Sequence, residues 1–238
     1  TSLPKNCFIY KNYSPNLNCI RAYLSNNNAI KIDLIRSKIN KWFKKKRINS
    51  QEFYSLLASL IEAIPSVSNI AGTYGAFLKN KDRRFFKKIK LEKFQPLNNK
   101  YKNKCYNEDT NKLIKKLRGD ILYLDPPYNA RQYITNYHLL ETAARYDSPK
   151  IKGLTGLRDS SQGYSNYCSK SKALQELTSL VKRAKFKYLI MSYSSEGIIP
   201  EKSIEKLFKK YGDNKTFKKY KFAYRRYKRT KGKEVKKL

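Results

Sequence analysis

Apolar residues recur at helical spacing through the front of the chain, with lysines and arginines between them. This period predicts a helix over residues 28–46, and a second helix that Ser50 caps. The second helix is expected to end before Pro65, since proline cannot continue a helix. Residues 1–20 and 66–79 are small or polar, show no period and predict loops. The front of the chain is therefore predicted to be helical, with basic helix surfaces.

Short apolar runs alternate with amphipathic segments beyond residue 105. The runs at 121–124 and 187–193 predict buried strands, and the alternating side chains of residues 217–223 predict a last strand. Amphipathic helices are predicted at residues 110–117, 136–145, 173–184 and 200–210. Strands that alternate with helices indicate an α/β sheet with crossover helices.

The change of pattern near residue 104 divides the chain into two predicted domains. Residues 1–104 are expected to form a helical, basic target-recognition region, and residues 105–238 a catalytic α/β core. The length of 238 residues suits this arrangement, because it is enough for one large domain or for a domain with a small appendage.

The charge of the chain is strongly unbalanced. Lysine and arginine total 53 and aspartate and glutamate total 18, which gives a net charge of +35. A field of this size attracts polyanions such as nucleic acids. The abundance of Lys, Asn, Ile and Tyr also fits AT-rich codons, so compositional drift is a second source of the positive charge.

Cysteines are sparse and there is a single histidine, which argues against disulfide bonds and metal binding. The four cysteines lie far apart without a C-x-x-C pair, so neither a disulfide framework nor a metal site is predicted, and a reducing cytoplasm is expected. No run of 18 apolar residues occurs, so no transmembrane helix is predicted.

The residues with the clearest chemistry are Asp125, Pro126, Pro127 and Tyr128, which directly follow the predicted strand that ends at Leu124. In an open α/β sheet, ligands bind beyond the carboxyl ends of the strands. The two prolines fix the backbone and remove two N–H donors, which leaves carbonyl groups free to accept from a ligand. A carboxylate, a carbonyl and an aromatic face suit a planar ring with an exocyclic amine. The alternative is an ordinary Pro-Pro turn.

The four-residue motif stands within a longer set of distinctive segments. These segments are residues 68–76, 122–133, 136–142, 153–158, 192–197 and 224–228. Together they resemble the DNA adenine methyltransferases of bacterial restriction–modification systems, in the group that contains the Dam-type enzymes. The resemblance runs from about Phe8 to Lys228.

The resemblance implies a Rossmann-like methyltransferase sheet with a helical DNA-recognition insert. It also implies S-adenosylmethionine as the cofactor, double-stranded DNA as the substrate, a cognate restriction endonuclease as a possible partner, and a monomer. In such enzymes the target adenine rotates out of the duplex. Its amine would then donate to Asp125 and to the Pro126 carbonyl, while Pro127 shapes the turn and Tyr128 stacks on the base.

One family feature is missing from the sequence. The family carries a cofactor loop of the form F-x-G-x-G, whereas the nine glycines here include no G-x-G pair. Residues 71–75 are the nearest imitation and are interpreted as a loop facing DNA. The resemblance therefore implies that the first motifs and strands precede Thr1, and a sheet without them would expose an apolar face. Asp109 and Asp125 would be what remains of the cofactor site, although Asp109 could equally be a helix N-cap.

Further positions are candidates for contact with DNA. Arg131, Tyr133 and Asn136 follow the motif and could touch the strand at the gap left by the flipped base, or could only support the loop. Arg83 and Arg84 are candidates for phosphate contacts, although a charge run is often only a solvated surface.

Three other features accompany these candidates. The run at 44–47 is a second candidate for phosphate contact, and residues 224–228 interleave aromatic and basic side chains as nucleic-acid surfaces often do. His138 is expected to be a satisfied, partly buried side chain.

The sequence thus predicts a site-specific DNA adenine methyltransferase. Two alternatives remain open: a non-catalytic remnant that still binds DNA, and a methyltransferase that acts on RNA or on protein amides.

Overall fold

The structure is a computed structural model, and it describes residues 7–93, 99–159 and 163–223. The candidate surface at residues 224–228 lies outside them. The described residues divide into two compact units, one within Thr1–Tyr101 and Tyr133–Tyr164, the other within Lys102–Gln132 and Ser165–Leu238.

The elements follow in this order. The α-helices are α1 (Phe8–Tyr13), α2 (Asn26–Lys44), α3 (Ser50–Ala63), α4 (Thr110–Leu113), α5 (Tyr133–Asn136), α6 (His138–Arg145), α7 (Ala173–Arg183) and α8 (Glu201–Tyr211). The strands are β1 (Gly119–Leu124), β2 (Ile151–Lys152), β3 (Leu157–Arg158) and β4 (Phe186–Met191). Short 3-10 helices occupy Ile64–Val67, Arg83–Phe86, Asn166–Cys168 and Asn214–Thr216.

The two long helices predicted in the first unit are confirmed as α2 and α3. The N-cap of α3 is Asn49 rather than Ser50: the Asn49 side chain accepts from the Glu52 N–H at 2.9 Å, and the Glu52 carboxylate accepts from the Asn49 N–H at 2.8 Å. This reciprocal pair satisfies two backbone donors that a helix start leaves open. Pro65 follows α3 directly, as predicted.

The prediction of a loop over residues 1–20 is wrong in part, because α1 lies there. The buried carboxylate of Asp33 on α2 accepts the N–H groups of Ile9 and Tyr10 at 3.0 and 2.9 Å. An acid at the first turn of a helix satisfies donors that would otherwise be buried unpaired. The contact that fixes α1 thus comes from 24 residues away and leaves no local period in the sequence.

The core of the first unit is largely apolar, and the buried arginine Arg36 lies within it. The side chains of Ile9, Ile32, Leu60 and Leu139 are fully buried together. Arg36 lies among them and donates to the carbonyls of Ala143 and Ala144 at the end of α6, at 2.9 and 2.8 Å. It therefore satisfies carbonyls at the end of that helix and joins α2 to α6.

A two-stranded parallel sheet forms the centre of the second unit. β1 pairs with β4, with Ile121 opposite Tyr188 and Leu124 opposite Met191. This confirms the α/β class and a strand at both predicted runs, but the prediction that these strands are buried is wrong for one face of each. The helices α7 and α8 also lie where the sequence predicts them.

The two faces of this sheet differ. Leu122, Leu124, Leu189 and Met191 pack against the core formed by α7 and α8. The opposite face carries Ile121, Tyr123, Tyr188 and Ile190, which are 60, 60, 56 and 51% exposed. This exposed apolar face agrees with the expectation from the sequence for a sheet with few strands. Parallel sheets are ordinarily covered on both faces.

The predicted last strand over residues 217–223 is wrong. The structure gives these residues no strand. Lys219 pairs with Glu201 and Glu205 of α8 at 2.9 and 3.1 Å, and Lys221 pairs with Glu201 at 3.0 Å. The alternating lysines therefore meet carboxylates on a helix instead of a neighbouring strand.

The units do not follow the chain order that the sequence suggests. Residues 133–159, which follow the motif in sequence, pack within the first unit, where β2 and β3 form a short antiparallel pair. The functional division at residue 104 stays a prediction.

Two global features complete the description. None of the helices in the described ranges combines the length and hydrophobicity that crossing a bilayer requires. The four cysteines are free thiols, and of these only Cys105 is exposed.

Candidate active site

The Asp125–Tyr128 loop begins at the carboxyl end of β1. The Ser192 N–H, just beyond β4, donates to the Leu124 carbonyl at 2.9 Å and extends the sheet pairing by one bond. Because the two strands are parallel, the residues after Leu124 and after Met191 leave the sheet at the same edge. The loop therefore lies where open α/β sheets bind ligands.

Further hydrogen bonds fix the rest of the loop. The Tyr128 carbonyl accepts from the Ile198 N–H at 2.8 Å. The Gln132 side chain donates to the Ser165 carbonyl at 3.0 Å and accepts from the Ser165 N–H at 2.8 Å. The Asn129 side chain accepts from the Arg131 N–H at 2.9 Å and closes a tight turn. The loop is thus tied to the segment after β4 and to residues before α7.

A pocket of about 370 Å³ opens beside this loop. Its lining includes Thr110, Leu113, Leu124, Asp125, Pro126 and Tyr167. The pocket is mostly apolar, with the carboxylate of Asp125 at the loop. Sites for small molecules commonly have this size and character.

The polar atoms of the loop remain available for a ligand. Within the part of the chain that the structure describes, neither the Asp125 carboxylate nor the Pro126 carbonyl has a hydrogen-bond partner. The Tyr128 ring is 41% exposed. An acceptor pair and an aromatic face therefore occur within four consecutive residues, as the sequence predicts.

Asp109 caps α4. Its side chain accepts from the Lys112 N–H at 3.0 Å, which confirms the helix-cap interpretation. That bond uses one carboxylate oxygen and leaves the second for another donor. The next residue, Thr110, lines the pocket, so Asp109 directly precedes a residue of the pocket lining in sequence. The structure gives no strand at residues 107–109, where the resemblance implies a strand end.

Sequence reasoning missed a buried polar network at the wall of the pocket. The Tyr167 hydroxyl donates to the Asn111 side chain at 2.8 Å, and Asn111 donates to the carboxylate of Glu176 on α7 at 2.7 Å. Burial raises the pKa of Tyr167, so its hydroxyl keeps its proton and acts as a donor. The partners lie 56 and 65 residues apart, and no short motif signals them.

The predicted DNA contacts are divided between the two units. Arg131 is exposed in the second unit, near the motif in sequence. Tyr133 belongs to the first unit, is 54% exposed and stacks on Tyr137 with ring centroids 5.8 Å apart. The Asn136 carbonyl accepts from the Tyr74 N–H at 2.7 Å, so Asn136 at least supports a loop.

The neighbouring arginines Arg83 and Arg84 differ in their surroundings. Arg83 is exposed. Arg84 pairs with Asp82 at 3.0 Å and also donates to the Ile70 carbonyl. Arg83 is therefore the better candidate for a phosphate contact, because Arg84 already has internal partners.

His138 is buried more deeply than the sequence suggests. Its Nε2 lies 2.9 Å from the Tyr74 carbonyl and must carry the proton, since a carbonyl only accepts. Among the described residues its Nδ1 has no hydrogen-bond partner. The expectation of a satisfied, partly buried side chain is thus wrong in two respects. The Nδ1 atom is unsatisfied among the described residues, and the side chain is fully buried. Burial disfavours the cation and lowers the pKa to about 4.

Comparison with known proteins identifies the family. The model of the family described as "D12 class N6 adenine-specific DNA methyltransferase" matches residues 3–207 of the chain. The chain belongs to this family, as the sequence predicts.

Named relatives support the same assignment. The chain is 51% identical to the type II methyltransferase M.FokI of Planomicrobium okeanokoites over 93% of its own length and 34% of the relative. It is 43% identical to the modification methylase StsI of Streptococcus sanguinis, over 86% of its length and 31% of that protein. It is 41% identical to the type II methyltransferase M.NlaIII of Neisseria lactamica, over 88% of its own length and 62% of that protein. The chain thus spans about a third of the first two relatives, and no solved structure matches it.

Proposed function

We propose that this chain, a member of the N6 adenine-specific DNA methyltransferases, transfers a methyl group from S-adenosylmethionine to the exocyclic amine of adenine in a specific DNA sequence. The observation that carries the proposal is the Asp125–Tyr128 loop at the carboxyl end of β1, with unpaired acceptors beside a pocket. The relatives named as modification methylases support a role as the modification half of a restriction–modification system.

The proposed chemistry needs acceptors at the amine. The lone pair of the adenine amine is delocalised into the ring, which makes the amine a poor nucleophile. Hydrogen bonds to the Asp125 carboxylate and the Pro126 carbonyl draw this lone pair back onto nitrogen. Tyr128 stacks on the flipped base and orients it. Orientation and fixed electrostatics of this kind supply most of the rate in comparable enzymes.

The residues around the pocket fit the nucleoside part of the cofactor. S-adenosylmethionine, when bound, supplies an electrophilic methyl group. The largely apolar lining suits an adenine ring, and the second carboxylate oxygen of Asp109, the residue before Thr110 of the pocket lining, would accept from the adenine amine. The pocket volume of about 370 Å³ is in the range of nucleoside-sized sites.

Other parts of the proposal rest on the family and on charge. They include a Rossmann-like sheet of which β1 and β4 are two strands, and a helical DNA-recognition insert in the first unit. Arg131, Tyr133 and Arg83 are exposed and would contact the DNA strand. The net charge of +35 opposes self-association, which supports a monomer. A cognate restriction endonuclease and a cytoplasmic location belong to the same proposal.

A second function is favoured by one observation. The sequence contains no G-x-G pair, so a glycine loop of the family type cannot form from these residues. A non-catalytic protein that binds DNA through its positive charge fits this feature.

Methyl transfer from labelled S-adenosylmethionine to duplex DNA decides between the two. The wild-type protein, produced together with any segment that precedes residue 1, should label the duplex, and Asp125→Ala should reduce the rate on the order of a hundredfold or more. Asp120→Ala is the matched control, because Asp120 is an exposed aspartate on the same strand and should retain the wild-type rate. DNA binding without methyl transfer by the wild type would instead support the non-catalytic function. Equal rates for the two variants would contradict the role of Asp125.

A further inference from the structure

The hydroxyl of Tyr23 lies between two loops of the first unit. It is 2.8 Å from the carbonyl oxygen of Tyr74 and 2.9 Å from that of Thr155. A hydroxyl has one proton and can donate to only one of them at a time. Because His138 also donates to the Tyr74 carbonyl, the Tyr23 proton is available to Thr155 while Tyr74 stays satisfied. The Tyr23 hydroxyl thus lies within hydrogen-bond distance of both residues 70–76 and residues 153–156, and His138 holds the Tyr74 carbonyl from a second side.

All four carbonyls of residues 153–156 accept from side chains of one short segment near the start of the chain. Arg21 donates to Gly153 and Leu154 at 2.9 and 3.0 Å. Tyr13 donates to Gly156 at 3.0 Å, and Tyr23 serves Thr155. Gly156 has φ +75° and a Cβ there would lie 2.8 Å from the Arg21 side chain, so only glycine fits.

The other loop is fixed through Tyr74. Its N–H donates to the Asn136 carbonyl of α5 at 2.7 Å, and its hydroxyl lies 2.9 Å from the Ser68 hydroxyl. The Tyr74 side chain is buried, whereas Gly72 and Gly75 on either side are exposed. A loop of small residues is thus held at its centre and presents its flanks to solvent.

The exposed parts of these loops suit a polyanion. Residues 70–76 and 153–157 contain no acidic side chain, and the chain has a net charge of +35. The carbonyls of residues 153–156 are occupied by internal donors, and the Gly156 N–H donates to the Gly153 carbonyl at 3.3 Å. The outer side of that loop can therefore offer the N–H groups of Leu154 and Thr155 and the Leu154 side chain, which is 67% exposed. Backbone N–H groups are common partners of DNA phosphates.

We propose that residues 70–76 and 153–156 form one DNA-contacting surface, here called the two-loop surface, and that Tyr23 is a positioning residue that fixes its shape. The proposal rests on the proposed function, since it takes duplex DNA as the partner. Sequence-specific contact requires groups held in a fixed arrangement, whereas non-specific attraction requires only charge. Loss of the Tyr23 hydroxyl should therefore reduce discrimination between sequences and leave overall attraction to DNA in place.

The test compares Tyr23→Phe with Tyr146→Phe. Tyr146 is the matched control because its hydroxyl makes a part-buried hydrogen bond to Asp33 at 2.7 Å in the same unit, and it lies outside both loops. Each protein is incubated with a random-sequence duplex library, and both the total DNA retained and the enrichment of any sequence are measured. Amide hydrogen exchange of the two loops is followed with and without DNA.

The wild type should enrich a sequence, and DNA should slow exchange in both loops. Tyr23→Phe should lower enrichment up to about tenfold, as the loss of one hydrogen bond allows, at unchanged total retention. It should also speed exchange in both loops, whereas Tyr146→Phe should do neither. Arg21→Leu, a less buried change, should loosen residues 153–156 and lower enrichment even if Tyr23→Phe fails to fold.

Two results would overturn the proposal. One is retention of DNA by the wild type without slower exchange in either loop. The other is equal enrichment by Tyr23→Phe and Tyr146→Phe. Both can occur in a protein that transfers methyl groups, so they are distinguishable from failure of the proposed activity.

Discussion

The Tyr128 carbonyl accepts a hydrogen bond from the Ile198 N–H at 2.8 Å, and this bond ties the end of the Asp-Pro-Pro-Tyr loop to the segment that follows β4. The two residues lie 70 positions apart in sequence but belong to loops that leave one edge of a parallel sheet. The bond uses the backbone of Tyr128 and leaves its ring, 41% exposed, for a ligand. Tyr128 is thus both fixed in place and available.

The ring of Tyr128 gives a first prediction. Tyr128→Ala should weaken productive binding of the target base by about 1–3 kcal/mol, because base stacking is lost. Tyr128→Phe keeps the ring and should remain within a few-fold of wild type. Steady-state methyl transfer to duplex DNA measures both. A Phe variant as impaired as the Ala variant would show that the hydroxyl, rather than the ring, matters.

The two neighbouring arginines give a second prediction. If the charge serves DNA binding, log Kd should vary linearly with log salt. Arg83→Ala should reduce the slope by about one, since an exposed phosphate contact is lost. Arg84→Ala should change the slope little and instead lower the melting temperature, because Arg84 already pairs with Asp82 and the Ile70 carbonyl. An affinity for DNA that does not change with salt would contradict a role of the charge in DNA binding and would favour codon composition as its source.

The exposed sheet face gives a third prediction. Ile121→Thr and Ile190→Thr keep β-branched residues on the strands and should reduce non-specific aggregation with little change in melting temperature. Leu177→Ala, on the buried side, should cost about 2–5 kcal/mol of stability. Light scattering and thermal unfolding distinguish these effects. A large loss of stability in either Thr variant would mean that the face is covered in solution.

The only histidine gives a fourth prediction. Burial lowers the pKa of His138 from its ordinary value of 6.5 to about 4 in the folded chain. The unfolded chain therefore binds more protons between pH 6.5 and 4, so stability is full above pH 6.5 and falls as the pH drops through this window. The loss should reach about 3 kcal/mol at pH 4.

Unfolding by urea at several pH values, compared with His138→Gln, isolates this contribution. Glutamine keeps an N–H donor but does not titrate in the window, so the difference in stability between the two proteins should shrink or reverse as the pH falls. A difference that stays constant from pH 7 to 4 would show that His138 is not neutral and buried in the folded chain.

Elements with their own hydrophobic period, and the motif with the clearest chemistry, can be predicted from the amino-acid sequence. α2, α3, α7, β1 and β4 each bury one face, so the spacing of their apolar residues reveals them. The Asp125–Tyr128 motif is contiguous, and its position after an apolar run is enough to place it at the end of a strand. Family membership followed from these same local features.

Elements and contacts that depend on residues far away in the chain become visible only in the folded structure. α1 forms because Asp33 satisfies its first N–H groups, and residues 217–223 are drawn to carboxylates on α8 instead of forming a strand. Tyr23 meets Thr155 across 132 residues. A long-range hydrogen bond of this kind depends on where two segments meet after folding, and neither segment shows in its own sequence which donor its carbonyls will find.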